Sequence, residues 1–518
     1  MKPRHILYII WIVIASLGVL CMLVPNAGIQ IGGWSLRWPT MAKVLELDGG
    51  GGGLSYTDSS WLANEEDYAL AIDTTEVYVS RKRVLVPLQP KAEMYDSILR
   101  SIADSLAQVA KEPREKVAKE KPKEVVEKSQ VSREADEIVR EERRGSSSAS
   151  MLGIDSRRYL SAFYEALDSA DVMPIRVVHY GDSQIEEDRI TNILREHWQA
   201  SYGGGGVGLI PLHQTIPTRS IRQWLSMNGA RQSSKGGPMR YMIYGPRSRR
   251  QQSKDYGVMG HVAVMDDALV EGSEELVLHI EPMGKKRIAH QQFSRVRLLA
   301  SEVDGEVVCH DTLLGIHPNG VTQLLGMTDR CQIALHGRGK VYGVSLETPS
   351  GVMVDNVPMR GCSGVIFTRI NSSSFSNYFS ATNTRLIILQ YGGNMIPQSH
   401  KQSTIDGYIK NLRTQIGYLR SCAPYASILF IGPSDMSTRI EGELVTYPLV
   451  PYLDKQLKKM AAEEQIGYWS MYDAMGGRNS MVEWVGKGLA GSDYVHFTRA
   501  GANKVGGMLV KWIDEGKE

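Results

Sequence analysis

Ile175-Arg176-Val177-Val178-His179-Tyr180 is a short run of mainly β-branched and aromatic residues, and it reads as a buried strand. It passes without a spacer into Gly181-Asp182-Ser183-Gln184, after which Ile190, Ile193, Leu194 and Trp198 recur at helical spacing. A buried strand that turns directly into an amphipathic helix belongs to an α/β sheet covered by helices. Ligands of such sheets sit at the carboxyl ends of the strands. Ser183, on that turn, is placed either as an exposed nucleophile or as a helix N-cap.

Later apolar runs extend the same pattern. Gly351–Val357, Leu386–Leu389, Ser427–Gly432 and Ile466–Ser470 bring the strands to five, with helical stretches near 403–421 and 448–464. The expectation is a three-layer α/β domain with a flavodoxin-like parallel sheet, divided between 151–221 and 350–518. Between Ile221 and Thr348 the pattern turns to short strands: Leu276–Ile280, Arg295–Leu299, Glu306–Cys309 and Val341–Leu346. Strands at that spacing predict a β-sandwich or jelly roll, inserted over 222–349. Cys309 and Cys331 both lie in it, and outside the cytoplasm they are candidates for a disulfide.

Four short pieces carry candidate chemistry. The first is Gly181-Asp182-Ser183. The second, near the C-terminus, is Asp493-Tyr494-Val495-His496, where a carboxylate and an imidazole three residues apart can meet on one turn. Asp493 could instead cap the last helix, which starts after Thr498. The third is Gly392-Gly393-Asn394 after a strand, where an amide can donate to a developing oxyanion or simply make a turn. The fourth is Arg360-Gly361-Cys362-Ser363-Gly364, where Gly361 has no side chain to block its N–H from a ligand, or which simply makes the turn that ends the strand.

Taken in order, strand–GDS, strand–Gly, strand–GxN and a terminal D-x-x-H resemble the SGNH (GDSL) hydrolases over roughly 155–222 and 350–515. The resemblance implies a serine nucleophile at Ser183, paired with Asp493 and His496. It implies an oxyanion hole of Ser183, Gly361 and Asn394. Asp182, Gln184, Gly392 and Gly393 flank these residues and are expected to line the site. The family often has Asp after the block-three Asn, where this chain has Met395. The G-x-S-x-G elbow of ordinary α/β-hydrolases is absent, since Ile185 stands where its second Gly would be. The interrupting β domain resembles that of bacterial peptidoglycan O-acetylesterases, where such a domain is like a carbohydrate module; it either binds glycan or merely shapes the cleft.

Other features are weaker. Gly203–Gly208 lacks the Lys-Ser/Thr of a phosphate loop and follows a helix, so it reads as a helix-ending turn or a lining of the site mouth. His179 reads as a core or supporting residue. No His/Cys/Asp grouping has metal spacing, and no cofactor is expected.

The remainder of the chain is unlike this globular part. An unbroken apolar run spans Ile6–Val24, preceded by Lys2 and Arg4 and with no further basic residue before Arg37. Nineteen residues match the roughly 30 Å hydrocarbon core of a bilayer. The expectation is an uncleaved transmembrane anchor after a short cytoplasmic segment, 1–5, with everything beyond it exported; a cleaved signal is the alternative. Residues 25–110, which include Gly49–Gly53, carry no assignable role. Residues 111–150 form a linker with 11 basic and 10 acidic residues between Lys111 and Arg144. The net charge of +2 argues against a nucleic-acid partner, the mean hydropathy of -0.22 against a polytopic membrane protein, and five cysteines in 518 residues against a disulfide framework.

The sequence therefore predicts an exported esterase at a bacterial inner membrane, its catalytic domain periplasmic. Its expected substrate is an acylated envelope glycan, with acetyl as the acyl group. The rivals are an SGNH lipase or thioesterase, and an envelope-binding scaffold with a vestigial site. Oligomeric state has no signature in this sequence.

Overall fold

The computed structural model describes residues 155–517, except 215, 228–229, 232–237, 245–254, 266–275 and 284–290, together with 29–31, 34–36 and 83–84. The expected anchor at 6–24 and linker at 111–150 lie outside the described residues. Among the described residues no helix is long and apolar enough to cross a membrane. Ile29–Ile31 and Trp34–Leu36 pair as a small antiparallel hairpin.

Five strands build the central sheet: β1 (Pro174–Gly181), β2 (Gly351–Pro358), β3 (Thr384–Gln390), β4 (Ser427–Ile431) and β5 (Gly467–Trp469). All pairings are parallel, in the order β2-β1-β3-β4-β5. This is the flavodoxin-like order. Along β1 the side chains alternate between two cores, as the two-residue period of a strand requires. Ile175 and Val177 join Leu194, Trp198 and Leu509 on one side, while Val178 and Tyr180 join Phe375, Leu412 and Leu453 on the other.

The covering helices are α1 (Ser161–Leu167), α2 (Thr191–Tyr202), α3 (Ser372–Ala381), α4 (Gln402–Cys422), α5 (Val450–Glu463), α6 (Met471–Met475), α7 (Ser480–Gly486) and α8 (Arg499–Asp514). Helices α3, α4 and α5 cover the Tyr180 side, and the others cover the Val177 side. Sheet and helices thus form three layers. Each apolar helix stripe is buried against the sheet, at about 25 cal/mol per Å² of apolar surface removed from water.

The inserted domain is a sandwich of a seven-stranded and a six-stranded sheet, with Leu278, Val296, Leu298, Ile333 and Val344 in its core. It starts earlier than the expected boundary at 222, because Gly208–Ile210 already pairs with Gly339–Glu347. Three residues in a glycine-rich stretch carry no readable period. Arg83–Val84, from a region without an assigned role, adds a parallel edge to the seven-stranded sheet beside Leu313 and Leu314. Cys309 and Cys331, the candidates for a disulfide, are both buried free thiols. Burial pushes both thiols up, away from the thiolate that disulfide exchange needs.

A buried ionic cluster joins the sandwich to the sheet. Arg176 of β1 lies 2.8 Å from Asp355 of β2 and also pairs with Glu347 at the end of a sandwich strand. Asp355 accepts from the Leu209 backbone N–H at 2.8 Å and from the Tyr378 hydroxyl at 2.5 Å. Removing one partner of such a cluster leaves a buried charge unpaired, at a cost of about 3–5 kcal/mol.

Candidate active site

Strand β1 delivers Ser183 to the carboxyl edge of the sheet. The cap of the following turn is Asp182, whose Oδ1 accepts from the Gln184 N–H at 2.9 Å. The Ser183 hydroxyl is therefore not the cap. The turn is also not the regular helix that the spacing predicts. Ser183–Asp188 is an irregular 3-10 segment with Glu187 at φ 60° and Asp188 at φ 61°, and α2 begins only at Thr191. Buried polar contacts favour this shape over a helix. Asp188 pairs with Arg195 at 2.5 Å and accepts from the Ser220 hydroxyl, and Arg189 Nε donates to the Glu186 carbonyl at 3.0 Å.

Ser183 Oγ lies 2.9 Å from His496 Nε2, and His496 Nδ1 lies 2.7 Å from Asp493 Oδ2. The other Asp493 oxygen accepts from the backbone N–H groups of Val495, at 3.0 Å, and His496, at 3.1 Å. Burial opposes ionisation of Asp493, but the His496 hydrogen bond and these N–H groups outweigh it and hold the carboxyl below its ordinary value. Asp493 is thus an anion facing one imidazole nitrogen while the serine faces the other. It does not cap α8; Thr498 does, accepting from Gly501 N–H at 3.3 Å. Gln184 Nε2 donates to the Val495 carbonyl at 2.7 Å and ties the histidine loop to the serine turn.

The turn after β2 is held at each successive residue. The Met359 N–H donates to the Gly181 carbonyl at 2.7 Å. Arg360 binds Glu186 through two hydrogen bonds, 2.7 and 2.5 Å. Gly361 has φ +75°, a region that glycine enters without strain, and its carbonyl accepts from the Tyr244 hydroxyl at 2.5 Å. The Cys362 carbonyl accepts from Asn394 Nδ2 at 3.1 Å, and the Ser363 carbonyl from the Tyr408 hydroxyl at 2.7 Å.

Asn394 also donates to Asp182 Oδ2 at 2.9 Å, which brings the third strand's turn against the first. That turn starts at Gly392, φ +124°. Burial raises the Asp182 carboxyl to about 6, against the lowering effects of Gln184, His496 and Asn394. Asp182 and Gln184 are buried supports of the turn, while Gly392 and Gly393 shape the backbone that presents Asn394. His179 is fully buried, 3.1 Å from Gln390 Oε1 and 3.0 Å from the Thr191 hydroxyl, and burial lowers its pKa to about 3. It stays neutral in the core.

Sequence reasoning missed two contributors. Glu186 locks the serine turn to the Gly361 turn through Arg360, across 174 residues of chain. Tyr244 comes from the inserted domain, 117 residues from Gly361. Neither lies in a local motif, so no spacing could reveal it. Among the described residues no grouping of His, Cys, Asp or Glu could hold a metal ion.

No protein-family model matches the sequence, and no curated protein is similar to it by sequence. Among solved structures, a peptidoglycan O-acetylesterase is similar over 70% of this chain and 96% of its own, with TM-score 0.55 and 19% identity. The chain has the SGNH hydrolase fold. An acetyl xylan esterase is similar over 30% of this chain and 79% of its own, with 12% identity and TM-score 0.25. A catalytic mutant of an acetylxylan esterase from Geobacillus stearothermophilus is similar over 32% of this chain and 73% of its own, with 14% identity and TM-score 0.23.

Proposed function

We propose that this SGNH-fold chain is a serine esterase that removes an acyl group, acetyl above all, from an envelope glycan. The observation that carries the ester chemistry is the Ser183–His496–Asp493 relay, at 2.9 and 2.7 Å. His496 Nε2 takes the Ser183 proton as Oγ attacks the carbonyl carbon. Asp493 fixes the imidazole orientation and stabilises the imidazolium. The backbone N–H groups of Ser183 and Gly361 and the amide of Asn394 receive the oxyanion. Asn394 has two amide protons, and the oxyanion takes the one now donated to the Cys362 carbonyl, the longer of its two contacts. The proton on His496 then passes to the leaving sugar oxygen. Water, activated by the same histidine, hydrolyses the acyl-serine and regenerates the hydroxyl.

The glycan part of the reading draws on the inserted sandwich and on the fold shared with a peptidoglycan O-acetylesterase. Export draws on the Ile6–Val24 run and its preceding Lys2 and Arg4. An inner-membrane anchor and a periplasmic catalytic domain follow. A reporter fused after residue 60 tests this, and a cytoplasmic signal from it contradicts export.

The full chain should release acetate from O-acetylated peptidoglycan and from short-chain aryl esters. Ser183→Ala should lower turnover by at least about 10³-fold. No ester hydrolysis, or equal rates with and without Ser183, contradicts the esterase. Rates that climb with acyl length replace the acetylesterase reading by the lipase one.

A further inference from the structure

We infer that Tyr244, supplied by the inserted β domain, is a positioning residue of the oxyanion hole: its hydroxyl holds the Gly361 carbonyl, on the peptide that follows the one bearing the Gly361 N–H, and so restrains the backbone that presents that N–H. The inference rests on the esterase reading above and adds a role for the insertion within the catalytic apparatus.

Glycine at φ +75° is free of steric penalty, but it is also the residue whose backbone is least restrained by its own side chain. An oxyanion donor needs the opposite property, a direction fixed before the charge develops. At Gly361 that direction is set from both sides. The preceding Arg360 is bound through two hydrogen bonds to Glu186 of the serine turn. The following carbonyl is held by Tyr244 at 2.5 Å. Among the described residues, its chain neighbours aside, a Cβ placed on Gly361 would meet Tyr244 atoms within 4 Å, Cε1 at 3.6 Å and Oη at 3.8 Å. Tyr244 is thus the side chain against which this glycine rests.

The tyrosine stands on a firm base. It follows the sandwich strand Met239–Met242 by two residues. Its neighbour Ile243 is buried and donates its N–H to the Gly260 carbonyl at 2.8 Å. Gly260 in turn lies against both Ile243 and Met359, the residue two before Gly361. The Tyr180 hydroxyl on β1 donates to the Val258 carbonyl at 3.2 Å and fastens the same segment to the strand that carries Ser183. The sandwich therefore reaches the reactive turn through packed side chains and backbone hydrogen bonds.

The test compares the full chain with Tyr244→Phe, which keeps the ring and removes the hydroxyl. Tyr342→Phe serves as the control. It removes a similar hydroxyl hydrogen bond, 2.7 Å to Asp255, elsewhere in the insertion. With a short-chain aryl acetate, Tyr244→Phe should lower kcat roughly 5- to 10-fold and keep KM within about twofold, as loss of one net hydrogen bond in the transition state predicts. Its melting temperature should match that of Tyr342→Phe, and Tyr342→Phe should keep wild-type kcat. A wild-type kcat in Tyr244→Phe, a change confined to KM, or an equal loss in Tyr342→Phe overturns the inference and leaves the esterase standing. If the wild-type chain turns over no ester, the esterase reading fails and this one falls with it.

Discussion

At the amino edge of the central sheet, Gly204 and Gly206 let two backbones touch: a Cβ on Gly204 would lie 2.5 Å from the Val352 carbonyl oxygen, and one on Gly206 would lie 2.1 Å from that of Leu346. At the carboxyl edge, roughly 26 Å away along an eight-residue strand at about 3.3 Å per residue, Gly361 and Gly392 have positive φ as well, yet their nearest neighbours are side chains at 3.2 Å or more. Both edges need glycine, for different reasons. The first needs it for space, because the segment after α2 must slide between β2 and the sandwich. The second needs it for conformation, because the turns after β2 and β3 pass through Gly361 at φ +75° and Gly392 at φ +124°. Glycine density in a sequence therefore does not locate chemistry. The end of the sheet on which a glycine falls does, since strand carboxyl ends are where an α/β sheet opens to ligands.

The difference can be broken by experiment. At the carboxyl edge, Asn394→Ala should lower kcat by about 10²–10³-fold, the usual loss for one oxyanion donor, while far-ultraviolet circular dichroism stays native. A variant with near-normal kcat would remove Asn394 from the reaction and make its turn as structural as the Gly204 turn. At the amino edge, Gly206→Ala should cost about 2–4 kcal/mol in urea unfolding, since φ is +79° and the new Cβ meets backbone. The kcat of its folded fraction should be unchanged, and a selective loss of kcat would connect the two edges.

The smallest effect sharpens the carboxyl edge. The Asp182 carboxyl rises from 3.8 unfolded to about 6 folded, chiefly through burial, so the folded chain holds this proton more tightly. Its contribution to stability is full below about pH 4, falls as pH rises towards 6, and is lost above that. The whole contribution is of the order of 1–3 kcal/mol. Asp182→Asn should flatten this part of the stability profile between pH 4 and pH 7 in urea titrations. An unchanged slope would show that Asp182 ionises as readily in the folded chain as in the unfolded one.

Much of this was readable from residue order. The five strands show as apolar runs because a parallel sheet buries both faces, and Asp493 and His496 show because three residues bring them onto one turn. Ser183 was legible as an alternative between nucleophile and cap, and only the Asp182–Gln184 contact decides who caps. What stayed hidden depends on distant partners. The irregular shape of Ser183–Asp188 comes from Arg195 and Ser220, the early start of the sandwich from pairing between Ile210 and Val344, and the hold on Gly361 from Glu186 and Tyr244. The hairpin Ser437–Ile440/Glu443–Thr446 is likewise hidden, because its strands are four residues long and carry no regular apolar alternation. Local pattern reports what a residue needs from its own element, and these features arise from what one element needs of another.

Ser183 should become acylated during turnover. Mixing the full chain with an aryl acetate, quenching in acid within the first turnover and mapping the peptides by mass spectrometry tests it directly. One acetyl group is expected on the peptide that holds Ser183, absent in Ser183→Ala and much slower to form in His496→Ala. Turnover with no acetyl on that peptide, or acetyl on a different residue at the same rate, would contradict it.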